Sequence, residues 1–139
     1  MSDGVVGARR AALLVAAGVA LLGAPARAEA PPLATMSCRI EAGSGRLLCT
    51  VNVTAPPGRS VVWSDALVVA APSAARALRS RAASTSERPN QVVLAFVLGG
   101  GAGGRIAVVS RAVACPLAPH AGACAPLTSR VGYDFQPPG

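Results

Sequence analysis

Apolar and polar residues alternate along residues 34–40 (ATMSCRI) and 47–53 (LLCTVNV), with the turn sequence Glu41-Ala42-Gly43-Ser44-Gly45-Arg46 between them. A period of two places successive side chains on opposite faces of a strand. Folded as a hairpin around Ala42–Gly45, the two stretches meet three conditions in a single register. Cys38 faces Cys49. Met36, Cys38 and Ile40 share one apolar face with Leu47, Cys49 and Val51. Glu41 stands opposite Arg46. A slip of one residue loses all three. Directly opposed Cα atoms lie about 4.5–5.5 Å apart, within reach of a disulfide.

The pattern continues along the chain. Residues 60–70 (SVVWSDALVVA) hold two apolar bursts around Ser64-Asp65 and read as one long or broken strand, or as two strands. Val61, Trp63, Leu67 and Val69 share one parity in it. Residues 73–83 (SAARALRSRAA) follow Pro72 and are rich in Ala and Arg, which suits a short helix. Leu78 is their one large apolar residue, so an exposed edge strand suits them nearly as well. Residues 84–90 are a polar loop. Residues 91–98 and 105–115 are Val-rich strands, and the glycine run at 99–104 is predicted to be a hairpin tip. A phosphate-cradling glycine loop would need a helix after it. Residues 130–135 can add a last strand.

Six or seven short strands, with turn signals about every 8–12 residues, describe an all-β fold: a small antiparallel β-sandwich with at most one short helix. The architecture resembles that of immunoglobulin domains. Those place a tryptophan between two distant bridged cysteines, whereas Cys38 and Cys49 both precede Trp63, so the resemblance ends at architecture.

The N-terminal pattern is of a different kind. Arg9 and Arg10 precede an uncharged apolar run at 11–24, and Pro25 is followed by Ala26-Arg27-Ala28. This is the order of an export signal: basic region, hydrophobic region, small-x-small cleavage site. The run is shorter than the roughly 20 residues needed to span a bilayer. The paired arginines also suit twin-arginine export. The predicted organisation is a cleaved signal peptide over 1–28 and a single disulfide-stapled β domain over 29–139. No transmembrane segment remains after cleavage, and the product is periplasmic or secreted. In that compartment the four cysteines read as two bridges, Cys38–Cys49 and Cys115–Cys124.

Composition removes most chemistry. The chain has 139 residues, 13 basic residues that are all arginine, six acidic residues and one histidine. Without lysine there is no Schiff-base lysine, Ser-x-x-Lys nucleophile or phosphate-binding Gly-Lys-Ser/Thr loop. No Gly-x-Ser-x-Gly elbow is present, and no Cys-x-x-Cys. A metal site at Cys115, His120 and Cys124 would need free thiols and a fourth ligand. A triad would have to join His120 to Asp65 or Asp134. Asp65, beside Ser64, reads more simply as a turn cap. No catalytic residue, metal ligand or cofactor is therefore predicted.

Arginine remains. Arg76, Arg79, Arg81 and Arg88 fall close together against the single acid Glu87, and residues 29–139 carry ten arginines and five acidic residues. Guanidinium binds carboxylate and phosphate through paired N–H groups. This segment is expected to bind anions weakly, and the partner to be an acidic protein or an anionic envelope surface. Specific nucleic-acid recognition is not expected, because no aromatic residue for base stacking lies between Trp63 and Phe96. The function class is an exported, non-catalytic binding, adaptor or structural protein of the cell envelope. The alternative is a small inhibitor-like or hydrolase-like protein acting through the Cys115–Cys124 loop.

The exported form is expected to begin at Glu29 and to contain no free thiol. Intact-mass measurement with and without reduction and alkylation reads both; retention of residues 1–28, or alkylation without prior reduction, would contradict it.

Overall fold

The computed structural model describes residues 33–118 and 122–138. The predicted signal peptide and His120 lie outside the described residues. Eight strands and no helix are found among those described: β1 (Ala34–Ile40), β2 (Leu47–Val53), β3 (Arg59–Ala70), β4 (Ala75–Ala77), β5 (Arg81–Ala83), β6 (Gln91–Leu98), β7 (Gly104–Pro116) and β8 (Ala125–Phe135). They form two antiparallel sheets, β1-β2-β6-β4 and β5-β3-β7-β8, packed face to face. This is the antiparallel sandwich that the alternation predicts. The order matches an immunoglobulin-type arrangement in placing β1, β2, β6 and β4 together opposite β3, β7 and β8.

The β1–β2 hairpin has the predicted register: Cys38 faces Cys49, Met36 faces Val51 and Ile40 faces Leu47. The Cys38–Cys49 bridge spans Cα atoms 4.0 Å apart. Leu47, Cys49, Val51 and Val53 are buried because β2 is flanked on both sides, by β1 and β6. Ile40, on the edge strand β1, stays half exposed. The turn departs from expectation in its side chains. The Glu41 carboxylate accepts a hydrogen bond from Ser44 Oγ at 2.7 Å rather than pairing with Arg46, while the Glu41 N–H donates to the Arg46 carbonyl at 2.8 Å.

Residues 59–70 form one long strand, β3, interrupted by register shifts between Val61 and Trp63 and between Val68 and Ala70. A bulge adds one residue without a partner and reverses the facing of the residues beyond it. Val61 therefore faces the core while Trp63 turns outward, so the two do not share a face as their spacing implied.

Residues 73–83 are two three-residue edge strands, not a helix. β4 pairs with β6 and closes the first sheet; β5 pairs with β3 and closes the second. Helix propensity is overridden because the small apolar residues of this segment, Ala75 above all, complete the interior of a sandwich. The Val68 N–H donates to Ser80 O and the Leu78 N–H to Ala95 O, so the link between β4 and β5 is stitched to both sheets.

The glycine run is a second correction. β6 belongs to the first sheet and β7 to the second, so residues 99–103 carry the chain between sheets rather than around a hairpin. Two Val-rich strands with buried faces suit either connection equally. Gly101 has φ 135°, and a Cβ there would collide with the Ser73 side chain. Ser73 Oγ accepts a hydrogen bond from the Ala102 N–H at 3.2 Å, which fastens this crossing to the β3–β4 link.

Replacing both Cys38 and Cys49 by serine is expected to destabilise the protein more than replacing Cys115 and Cys124. The bridged loops are similar in length, with sequence separations of 11 and 9, so their chain-entropy contributions are nearly equal, about 2–3 kcal/mol each. Cys49 is fully buried whereas Cys124 is exposed. The first substitution therefore adds a packing and desolvation cost of about 1–2 kcal/mol. Denaturation midpoints of the two double variants give the ranking.

Candidate functional site on the outer face of the second sheet

Inward positions of the second sheet are Val61, Ala66, Val68, Ile106, Val108 and Ala112, which pack into the core. Alternation sends the intervening residues outward, and the ladders align them in rows. One row reads Arg81, Leu67, Val109, Arg130 across β5, β3, β7 and β8. The next reads Ala83, Asp65, Arg111, Thr128, and a third reads Trp63, Val113, Pro126.

Asp65 occupies an outward position, yet its side chain is 0% exposed. Two guanidinium groups cover it. Arg111 lies directly across the ladder and binds as a fork, with Nε donating to Oδ1 at 2.9 Å and its second nitrogen donating to Oδ2. Arg81 approaches from β5, with Nε 2.8 Å from Oδ2 and a second nitrogen 2.6 Å from the same oxygen. The carboxylate is therefore sealed beneath a single layer of cations. The cations remain half in water, at 56% exposure for the Arg81 side chain and 48% for that of Arg111. The Arg111 hydrogen bonds hold the Asp65 carboxyl below the usual carboxylate range; burial opposes this and Arg81 adds to it. Reciprocally, Asp65 raises the pKa of Arg111.

Asp65 thus braces three strands and does not cap a turn. Its neighbour Ser64 faces inward and fastens the polar loop at 84–90. The Ser64 N–H donates to Ser84 Oγ at 3.0 Å, and Ser64 Oγ donates to Pro89 O at 2.6 Å. One signal in the sequence could have revealed the cluster. Asp65 is the single acidic residue of β3, and Arg111 lies between the apolar stretches 106–109 and 112–115 of β7.

Trp63 and Leu67 share the outer face with the cluster at 36% and 39% exposure. Farther along, Arg105 pairs with Asp134 at 3.2 Å across Gly132, where a Cβ would meet the guanidinium. Both side chains of that pair are well exposed, and such pairs contribute little.

The four arginines anticipated as an anion-binding segment are not gathered on one surface. Arg76 projects from β4 on the outer face of the first sheet, and Arg81 on that of the second. Arg79 lies in the β4–β5 link beside a groove lined by Leu78, Ala82 and Val93. Arg88 reaches the Gln91 side chain at 3.2 Å from the loop before β6. Of the four, Arg81 alone is in an ion pair among the described residues.

The residues considered for a triad are likewise apart. Asp65 is occupied by arginines, Asp134 by Arg105, and His120 lies outside the described residues. Cys115 and Cys124 form a disulfide, which removes the thiols a metal would need. At the base of that loop, Arg59 Nη1 donates to Ala114 O at 3.2 Å and to Ala123 O at 3.1 Å. No helix among the described residues is long and apolar enough to cross a membrane. No protein-family model matches the chain, and no curated protein or solved structure is significantly similar to it.

Because the folded-state pKa of Asp65 lies below its unfolded value of about 3.9, its ionic contribution is fully present above that pH and is lost as pH falls through the folded value. Asp65→Asn is expected to cost about 1–3 kcal/mol at neutral pH. The gap from the parent should narrow below about pH 4. Denaturant unfolding from pH 7 to pH 3 tests this, and a gap independent of pH would exclude an ionic origin. Arg111→Gln should destabilise more than Arg81→Gln, because only Arg111 engages both carboxylate oxygens.

Proposed function

We propose that this chain is an exported, non-catalytic binding or adaptor domain of the cell envelope, working in the periplasm or outside the cell, and that the outer face of its second sheet is the contact surface. Two disulfides suit an oxidising compartment. The apolar run and Ala26-Arg27-Ala28 support export.

The observation that carries the reading is the sealed Asp65 with its two half-exposed arginines, set among the exposed Trp63 and Leu67. Stability alone does not call for this arrangement. Well-packed apolar residues in place of a buried ion cluster are often neutral or stabilising. Fixed guanidinium groups beside exposed aromatic and aliphatic side chains are the ingredients of a recognition surface.

A second reading keeps the Cys115–Cys124 loop as an inhibitor-like tip. Its support is the Arg59 clamp at the loop base together with Leu117, which is 67% exposed.

Photo-crosslinking residues placed at Leu67, Leu117 and Val93 in the exported protein separate these readings. The proposal expects adducts from Leu67, on the outer face of the second sheet. Adducts from Leu117 alone would favour the loop. Adducts from Val93 alone, on the outer face of the first sheet, would refute both.

A further inference from the structure

The outer face of the second sheet carries a charge pattern that specifies what it can hold. Arg81 and Arg111 each place a terminal nitrogen on Asp65 Oδ2, at 2.6 and 2.5 Å, so these nitrogens lie no more than about 5 Å apart. The sealed carboxylate offsets the repulsion between the two cations. Each guanidinium has five N–H groups and spends two on Asp65, leaving three directed elsewhere. Arg130, exposed at the other end of the Arg81 row, forms no side-chain hydrogen bond or ion pair among the described residues. Leu67 and Val109 form the apolar floor between the two ends.

Three arginines against one acid leave this region with an excess of two positive charges. The Arg81 and Arg111 guanidinium groups meet over Asp65, and from Asp65 to Arg130 the sheet runs two strand spacings across and two residues along, about 12 Å. In an extended peptide, side chains at i, i+2 and i+4 project on one side, and the first and last are about 13 Å apart.

Building on the reading of this face as the contact surface, we propose that its occupant is an extended, acidic segment of a partner protein, with carboxylates at i and i+4 and an apolar residue at i+2. One carboxylate bridges Arg81 and Arg111, the other pairs with Arg130, and the apolar side chain lies on Leu67 and Val109. A second copy of this chain does not suit the face, because like cations would oppose each other. A sulfated sugar presents anions but nothing for the apolar floor. A lipid headgroup layer presents phosphates without an apolar group at the same depth.

The test uses the oxidised, exported chain and a synthetic peptide with a Glu-Val-Leu-Val-Glu core between Ser-Gly flanks. Affinity and side-chain NMR shifts are read at physiological salt. The peptide should shift the arginine Nε–H signals of Arg81, Arg111 and Arg130 and the Leu67 methyls. Replacing both glutamates by glutamine should weaken binding about tenfold or more. Arg130→Glu should weaken it about tenfold. Arg76→Glu changes the net charge by the same amount on the opposite face, and should weaken it less than about twofold. Neither residue holds Asp65, so both variants should fold.

Equal losses from the two variants would overturn the proposal in favour of a long-range field. Equal binding of the glutamine peptide would overturn it in favour of apolar docking. Vesicles of phosphatidylglycerol or heparin that shift the same signals more tightly than the peptide would overturn it in favour of a membrane or polysaccharide. In those last two cases the face remains a contact surface. If no probe shifts it and the Leu67 crosslinker is also silent, the functional reading falls with the inference.

Discussion

A carboxylate held out of water by two cations joins three strands that are far apart in sequence. Asp65 lies on β3, Arg81 sixteen residues later on β5, and Arg111 forty-six residues later on β7. The ladder between β3 and β5 covers only three residue pairs, too few to hold an edge strand firmly alone. The ionic contacts supply the missing attachment and fix where two guanidinium groups point. Their value lies in specifying one pairing of these strands. The net stability of a sealed ion cluster is modest, while the loss of one partner is costly.

The sandwich around this cluster is filled mostly by Val, Ala and Leu, with Phe96 and Phe135 as its buried aromatic side chains among the described residues. Small inward side chains allow the chain to cross from β3 through β4 to β5 and seal the open edges of both sheets with very short strands. Trp63 is excluded from that interior by the bulge at Val62. The irregularity that breaks the strand pattern also supplies the contact face with its largest side chain.

How much of this the sequence reveals depends on how local each determinant is. The β1–β2 hairpin was legible to the residue because cysteine spacing, apolar parity and turn chemistry converge within 20 residues, from Ala34 to Val53. Two strands of the second sheet, β7 and the long β3, were legible as Val-rich runs. The bulge in β3 was not, since an extra residue leaves composition and periodicity almost unchanged. Residues 73–83 were ambiguous because Ala and Arg favour a helix in isolation, and only distant partners make them strands. The glycine run read as a hairpin for a similar reason: consecutive strands with buried faces do not reveal whether they share a sheet. The arginine count drew attention to residues 76–88 as a block, but alternation across two sheets scatters them. Asp65 was visible as an isolated acid, and its arginines became partners only through long-range pairing.

The two disulfides bear on how the molecule reaches this state. Each closes a link between sequential strands, with separations of 11 and 9 residues, while the nearest crossed pairing, Cys49 with Cys115, would span 66. Loop-closure entropy favours each native contact over that alternative by roughly 1.5–2 kcal/mol before any packing is gained. The correct bridges are thus the ones an unfolded chain samples most often. Oxidation can proceed hairpin by hairpin, ahead of the long-range pairing that assembles the sandwich, and a disulfide isomerase has little to correct.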